Sequence, residues 1–417
     1  MYTYLNRLVG FIKGPLSIIL ILAYYDETEQ GYWYLLVNLG VIASVIDFGL
    51  ASLLTQRVSR VYGINEEYSS LESSSRIYFL IKQFIKYYLI LVSLFSCYTI
   101  LIFLFFLDNY NHEWLIYGGL LIVQFSFTPF YHIFMGLNKV EEVQSALFKG
   151  NIVGAFILIL SLWLGYGLWS LGISLFLNII VSGIFFLNKS LSFWKLLYKI
   201  SSKNNLRDQT EDLKSVQFDY FISWVAGLFM YNLFIPYISK IYDIILVGKI
   251  GLILNLFSFI LSLSVVEAFN NIPYFNVLIQ KNKIQEGFKA YKAILSRSLL
   301  LFVVLILSAF LFLFVLNKFI KLENRLPDYT IIICFGFWIG ARIFTSVSAS
   351  FFRSFGGEPY RNLNIVLLVI TLCVYLINHK LALPFSQFLI ILVSIHLILL
   401  AFYYLMNYKA WLVENEE

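Results

Sequence analysis

Residues 150–188 read GNIVGAFILILSLWLGYGLWSLGISLFLNIIVSGIFFLN, and none of them carries a charge. A membrane-spanning helix needs about 20 apolar residues, so the run is too long for one span. Gly165-Tyr166-Gly167 interrupts it near the middle, where glycine marks a turn. The stretch therefore predicts two membrane helices joined by a tight turn. Working outward, Tyr87–Leu107, Trp114–Asn138, Tyr220–Ser239, Ser298–Asn317 and Leu383–Tyr408 are also free of charge. The chain as a whole is 60% hydrophobic and 13% charged, with mean hydropathy +0.80. A soluble domain has about 45–50% apolar and 25% charged residues. Alternating segments of about ten residues, the mark of an outer-membrane barrel, are absent.

The reading is an all-α integral membrane protein of about twelve spans, near 6–25, 31–56, 83–107, 114–136, 146–165, 167–188, 215–239, 243–270, 293–316, 328–352, 361–378 and 384–407. Placing both termini in the cytoplasm puts 23 of the 30 Lys and Arg residues in cytoplasmic segments and 6 in external ones, with Arg342 inside a span. That asymmetry is what the positive-inside rule requires, and it accounts for the net charge of +6 without nucleic-acid binding. The first apolar segment lacks a small-residue cleavage pattern and reads as a retained span. Cys97, Cys334 and Cys373 lie in apolar runs and read as packing residues, not as a disulfide or metal framework. The basic, aromatic-rich segments Asn65–Lys86, Lys189–Lys214 and Lys281–Arg297 predict either interfacial helices or solvated loops.

The two halves match at a nearly constant offset. Ser44-Val45-Ile46-Asp47 corresponds to Ser264-Val265-Val266-Glu267 and Gly136 to Gly356, each 220 residues apart; Pro15 corresponds to Pro236 at 221. Six spans per repeat is an even number, so the halves share orientation, as in transporters with a substrate path between parallel repeats. The expected organisation is a six-helix lobe over 1–188, a cytoplasmic linker over 189–214 and a second six-helix lobe over 215–417.

An ionisable group at the centre of a span costs about 2.5–3.5 kcal/mol on insertion scales and marks a functional position. Here such groups are confined to Lys13 in span one, Asp47 in span two, Lys249 and Glu267 in span eight, and Arg342 in span ten. Lys13, Lys249 and Arg342, with Arg353 at the end of span ten, are candidate contacts for an anionic pyrophosphate headgroup and its sugars. Asp47 and Glu267 are candidates for a coupling proton or cation. Snorkelling from a span end is the alternative for Lys13, Lys249 and Asp47. Pro15 and Pro236 are candidate hinges, or else static bends, as is Pro129. Asn38, Gln124, His132, Asn232, Asn255 and Asn270 read as helix-to-helix hydrogen-bonding residues. No nucleotide-binding lysine loop, zinc motif or nucleophile elbow appears, so no cofactor, metal or enzymatic activity is expected.

These features resemble the Wzx-type O-antigen and polysaccharide flippases of the multidrug/oligosaccharidyl-lipid/polysaccharide (MOP) exporter superfamily. Asp47-Phe48-Gly49-Leu50 looks like that family's acidic-x-Gly-Leu signature. Gln217 through Ser223-Trp224, Pro236, Val247-Gly248-Lys249-Ile250-Gly251, Leu261-Ser262-Leu263-Ser264 and Ile272-Pro273-Tyr274-Phe275 are similar in order and spacing to one branch's seventh and eighth spans. Phe351-Phe352-Arg353 with Glu358-Pro359 resembles the end of its tenth. Lys249, Glu267 and Asn271 stand where that branch tends to have Gln, Trp and Lys. The resemblance covers nearly the whole chain. It implies a monomeric bacterial inner-membrane transporter that flips an undecaprenyl-diphosphate-linked oligosaccharide by alternating access, coupled to an ion gradient. It would work among membrane lipids alongside a polysaccharide polymerase and other assembly proteins. An ion-coupled exporter of drugs or small amphiphiles would share the architecture. A membrane polysaccharide polymerase is the third reading, although the external loops are short.

Overall fold

The structure is a computed structural model that describes residues 2–45, 47, 50–51, 54–55, 58, 71–106, 111–137, 139–201, 222–223, 225–281, 283–318, 325–355 and 358–414. Several residues of the expected pattern fall outside these ranges, namely Phe48-Gly49, Gln217, Trp224, Gly356 and the second half of the linker, 202–214. The described chain is helical throughout. It divides into two compact units, Met1–Lys214 and Ser215–Glu417.

Unit 1 contains α1 (Tyr2–Tyr24), α2 (Glu27–Val45), α3 (Leu71–Phe106), α4 (Asn111–Gly136), α5 (Val140–Trp163) and α6 (Trp169–Ser201). Asp26 starts α2 by accepting the Glu29 backbone N–H at 2.7 Å, which satisfies one of the unpaired donors of the first turn. Glycine and small polar residues let α5 and α6 approach closely. A Cβ on Gly150 would stand 2.8 Å from the Asn178 carbonyl oxygen and 2.8 Å from Ser182 Cβ. Ser174 Oγ donates to the Gly154 carbonyl at 2.8 Å. Small residues at such crossings allow the van der Waals contact that drives helix association where lipid removes the hydrophobic term. The apolar core of this unit gathers Leu54, Val58, Phe84, Ile133, Phe134, Val143 and Phe186.

Unit 2 contains a π turn (Leu228–Asn232), α7 (Phe234–Ile241), α8 (Ile244–Ser264), the short α9 (Val266–Asn270) and α10 (Ile272–Gln280). These are followed by α11 (Ile284–Asn317), α12 (Tyr329–Phe352), α13 (Arg361–Leu381) and α14 (Phe385–Glu414). Span seven is broken, and Pro236 explains why. Its nitrogen has no hydrogen to give to the Asn232 carbonyl, and the π turn ends at that residue. Pro15 has no such effect, since α1 runs through it unbroken.

Among the described residues nine helices are long and apolar enough to cross a membrane, and two shorter apolar stretches, Leu8–Tyr24 and Val225–Ile241, join them. With α2 they make up the twelve spans of an all-helical, multi-pass integral membrane protein. The exposed faces are apolar as a lipid solvent requires. On α11, Leu300, Val303, Val304, Leu307, Leu311 and Phe314 form an exposed stripe at helical spacing.

Three expectations need correction. Lys281–Arg297 is neither a separate interfacial helix nor a loop, because residues from Ile284 onward form the first half of α11. At 34 residues that helix is about 51 Å long, beyond the ~30 Å hydrocarbon core. The segments 71–86 and 189–201 likewise extend α3 and α6. Span two was expected to reach residue 56 as one helix, but α2 ends at Val45, and Asp47 sits in a turn whose carbonyl accepts the Leu50 N–H at 2.9 Å. Span eight shows the same interruption at the repeat-equivalent place: α8 stops at Ser264, and a short helix follows.

Candidate functional site

Arg342 lies near the middle of α12, thirteen residues from its start and ten from its end. Its guanidinium carbon stands 4.0 Å from the centroid of the Tyr231 ring, a cation–π geometry. Among the described residues no carboxylate pairs with it. Tyr231 belongs to the π turn, so the break in span seven is what presents this ring to Arg342. The platform behind it is rigid. Tyr231 packs against Trp338 with centroids 5.3 Å apart. Trp338 Nε1 donates to His396 Nδ1 at 3.1 Å, and His396 Nε2 lies 2.9 Å from Thr371 Oγ1. An indole N–H can only donate, so His396 Nδ1 must accept, and the neutral ring keeps its proton on Nε2 for Thr371. His396 is thereby fixed as a structural histidine.

Lys13 is eleven residues from either end of α1. The hydroxyl of Ser17 donates to the Lys13 and Gly14 carbonyls, both at 2.9 Å. Gly10 and Gly14 flank the lysine, and a Cβ on either would meet nothing within 4 Å. Lys249 sits in the second turn of α8, half-buried between the buried Gly248 and Ile250. Neither lysine has an ion-pair partner among the described residues.

The other candidates are placed differently. Arg353 makes a bidentate pair with Glu358, at 2.8 Å from Nε and 3.0 Å from an Nη, and Glu358 is only 1% exposed. This fork closes the turn between α12 and α13. Glu267 lies in α9, beyond the 21 residues of α8 that already cover about 31 Å, and its carboxylate holds Arg297 at 2.9 Å. Both side chains of that pair are substantially exposed, and Glu267 lies close to the end of the apolar stretch Ile244–Asn270. Asp47 is half-buried past the end of α2. The structure brings Arg342 together with Tyr231, which the sequence did not single out; among the described residues no ion pair joins two of the charged candidates. Nor does any group of three or more His, Cys, Asp or Glu there form a metal-binding cluster.

Two features escaped the sequence reading. One is an amide chain through unit 1: Asn178 Nδ2 donates to Asn151 Oδ1 at 2.8 Å, Asn151 Nδ2 to Asn6 Oδ1 at 3.0 Å, and Asn6 Nδ2 to Gln144 Oε1 at 3.1 Å. It stitches α6, α5 and α1 together. The polar residues inside the uncharged 150–188 run were its only sequence signal. The other is an apolar groove of about 720 Å³ in unit 2, lined by Phe257, Phe302, Ile306, Phe337, Phe344 and Tyr404 among others. Gly336, Gly340 and Phe344 of α12 face the groove. Trp338 and Arg342 lie on the helix's other face, so the groove is separate from the cationic site.

No protein-family model matches the chain, and no curated protein sequence matches it. Solved structures do. An inward-facing multidrug resistance MATE family transporter of the MOP superfamily superposes with a TM-score of 0.66 at 12% identity, covering 99% of this chain and 96% of the other. The lipid II flippase MurJ in an inward closed conformation gives 0.58 at 15% identity, covering 98% and 86%. A MATE crystal structure in a bent conformation gives 0.56 at 13% identity, covering 98% and 93%. The likeness runs over nearly the whole of this chain and 86–96% of the others, and it is a likeness of fold alone: the chain shares the helical architecture of these solved transporters.

Proposed function

We propose that the protein is a flippase that moves a polyprenyl-diphosphate-linked oligosaccharide across the bacterial inner membrane by alternating access, with both termini in the cytoplasm. The observation that carries this reading is the sign of the unpaired charge within the spans. Lys13, Lys249 and Arg342 have no carboxylate partner among the described residues, whereas the Glu267 carboxylate is neutralised by Arg297. Placing a cation in a span is costly, and an anionic diphosphate headgroup would recover that cost. Arg342 would grip phosphate oxygens through its planar fork, with the Tyr231 ring at its back; the lysines would act as point charges. Arg353 drops out of the path because Glu358 already occupies its guanidinium. The fold shared with a lipid II flippase supports a lipid-linked substrate.

The higher TM-score to a multidrug MATE transporter favours a second reading, export of small amphiphiles. Charge separates the two, since unpaired cations repel cationic drugs and attract diphosphates. Asp47 and Glu267 stand as the coupling carboxylates in either reading, and a coupling cycle at Glu267 has to release Arg297. The test is complementation of cells that lack their own repeat-unit flippase but make a matched precursor. Restored surface polysaccharide is expected, with Arg342→Gln reducing it at least tenfold. Unrestored polysaccharide together with raised resistance to cationic dyes would establish the exporter reading instead.

A further inference from the structure

One end of unit 1 holds a polar pocket of about 190 Å³ where α1, α5 and α6 meet, lined by Tyr2, Glu141, Glu142, Ser145, Lys149, Phe185 and Lys189. Its geometry follows from the close approach at Gly150. With α5 pressed on α6, the Lys149 ammonium lies 3.8 Å from the centroid of the Phe185 ring. A cation over an aromatic face is held in place while its N–H groups stay available to an acceptor. Lys189, one turn further along α6, adds a second ammonium. The two carboxylates belong to the first turn of α5, and Glu142 and Lys149 are about 10.5 Å apart along the helix axis. Charges of both signs therefore line one small cavity, yet none of the four makes an ion pair among the described residues. Beyond the pocket α5 exposes Ile152 and Phe156, three and seven residues on from Lys149 and so on the same side of the helix, which sets an apolar wall beside the polar cavity.

We infer that this pocket binds the headgroup of an ethanolamine phospholipid. The lipid phosphate is taken by Lys149 and Lys189, its primary ammonium by Glu141 and Glu142, and its acyl chains by the apolar wall. The lining is neutral overall and bipolar, which matches a zwitterion. A glycerol headgroup has no cation for the carboxylates. A choline headgroup carries a quaternary nitrogen with no N–H to donate to them. This assignment does not depend on what the protein transports.

Native mass spectrometry of the purified full chain, exposed to an equimolar mixture of dioleoyl phosphatidylethanolamine, phosphatidylglycerol and phosphatidylcholine, tests it. The ethanolamine lipid should be retained at least fivefold over the other two. Both Lys149→Ala/Lys189→Ala and Glu141→Gln/Glu142→Gln should erase that preference while the protein elutes as the wild type does. Equal retention of the three lipids by the wild type, or a preference that survives both double variants, overturns the proposal. In a further arm, soluble glycerophosphoethanolamine at the lipid's concentration should not displace the lipid. Full displacement would assign the pocket to a soluble phosphoethanolamine ligand and overturn the lipid assignment.

Discussion

The two units solve one problem with different chemistry. In unit 1, Tyr25 at the end of α1 donates its hydroxyl proton to the Leu162 carbonyl at 2.9 Å and accepts the Gly167 N–H at 3.1 Å, pinning the turn between α5 and α6. In unit 2, Tyr242 at the end of α7 donates to the Leu383 carbonyl at 3.0 Å and accepts from Asn378 Nδ2 at 3.0 Å, pinning the turn between α13 and α14. The tyrosines are 217 residues apart, and so are Gly165 and Ala382, each at positive φ in its turn (+80° and +46°), with Gly167 a second such residue in unit 1 at +56°. The pin and the turn recur, but the packing beneath them does not. Unit 1 fits its last two spans together with Gly150, Gly154, Ser174 and Asn178. In unit 2 Leu367 and Thr371 stand at the same offset from Gly150 and Gly154, and a Tyr237–Tyr375 stack at 4.2 Å with Phe388 against both rings joins α7, α13 and α14. A repeat can thus keep its topology and its loop chemistry while the helix interface changes from small and polar to large and aromatic.

The largest expected effect breaks the small-residue side of this contrast. Gly150→Val puts atoms within 3 Å of backbone and side chain on α6, where neither neighbour can yield cheaply, and should leave little folded protein by size-exclusion chromatography. Gly119→Val, at an open position, should elute as the wild type does. Next come the pins. Tyr25→Phe strands the Gly167 N–H, while the Leu162 carbonyl keeps the Gly165 N–H at 3.1 Å, and should cost about 1–3 kcal/mol, a drop of several degrees in melting temperature. Tyr242→Phe should cost less, because Asn378 keeps a second partner in Tyr237 at 2.8 Å. Equal losses at both sites would show that the two pins are energetically alike and that the Asn378 bond to Tyr237 gives no protection. The smallest pair has opposite signs. Gly165→Ala should destabilise by about 1 kcal/mol, and Ala382→Gly should stabilise by a similar or smaller amount, because a Cβ is strained in the left-handed region. Thermal melts of the two variants check both signs.

This contrast also explains what could be read from the sequence. The hairpin of spans five and six was legible because glycines flank Tyr166 in an otherwise uncharged run. Its partner in unit 2 turns at Ala382, which no turn rule singles out, so only the drop in apolar character at His379-Lys380 marked it. Hydropathy reports which residues can enter lipid, not where backbone hydrogen bonding stops. For that reason α3, α6 and α11 outrun their expected ends, and the stops after Val45 and Ser264 went unread. Of the candidate site, the position of Arg342 was legible as a charge in an apolar run. The Glu267–Arg297 and Arg353–Glu358 pairs were not, because a sequence shows charges without showing which of them meet. The Tyr231 ring over which Arg342 sits was hidden for another reason: it depends on a π turn, and Pro236 marked a bend in span seven without showing which ring that bend would present.

The central claim is that unpaired cations in the spans serve an anionic, lipid-linked substrate. Proteoliposomes loaded with a fluorescent polyprenyl-diphosphate oligosaccharide test it directly, by following the fraction of headgroup that becomes accessible to a membrane-impermeant quencher. The account predicts translocation by the wild type, at least tenfold slower translocation by Arg342→Gln, and partial recovery in Arg342→Lys, which restores the charge without the planar fork. Translocation by Arg342→Gln at the wild-type rate would contradict it.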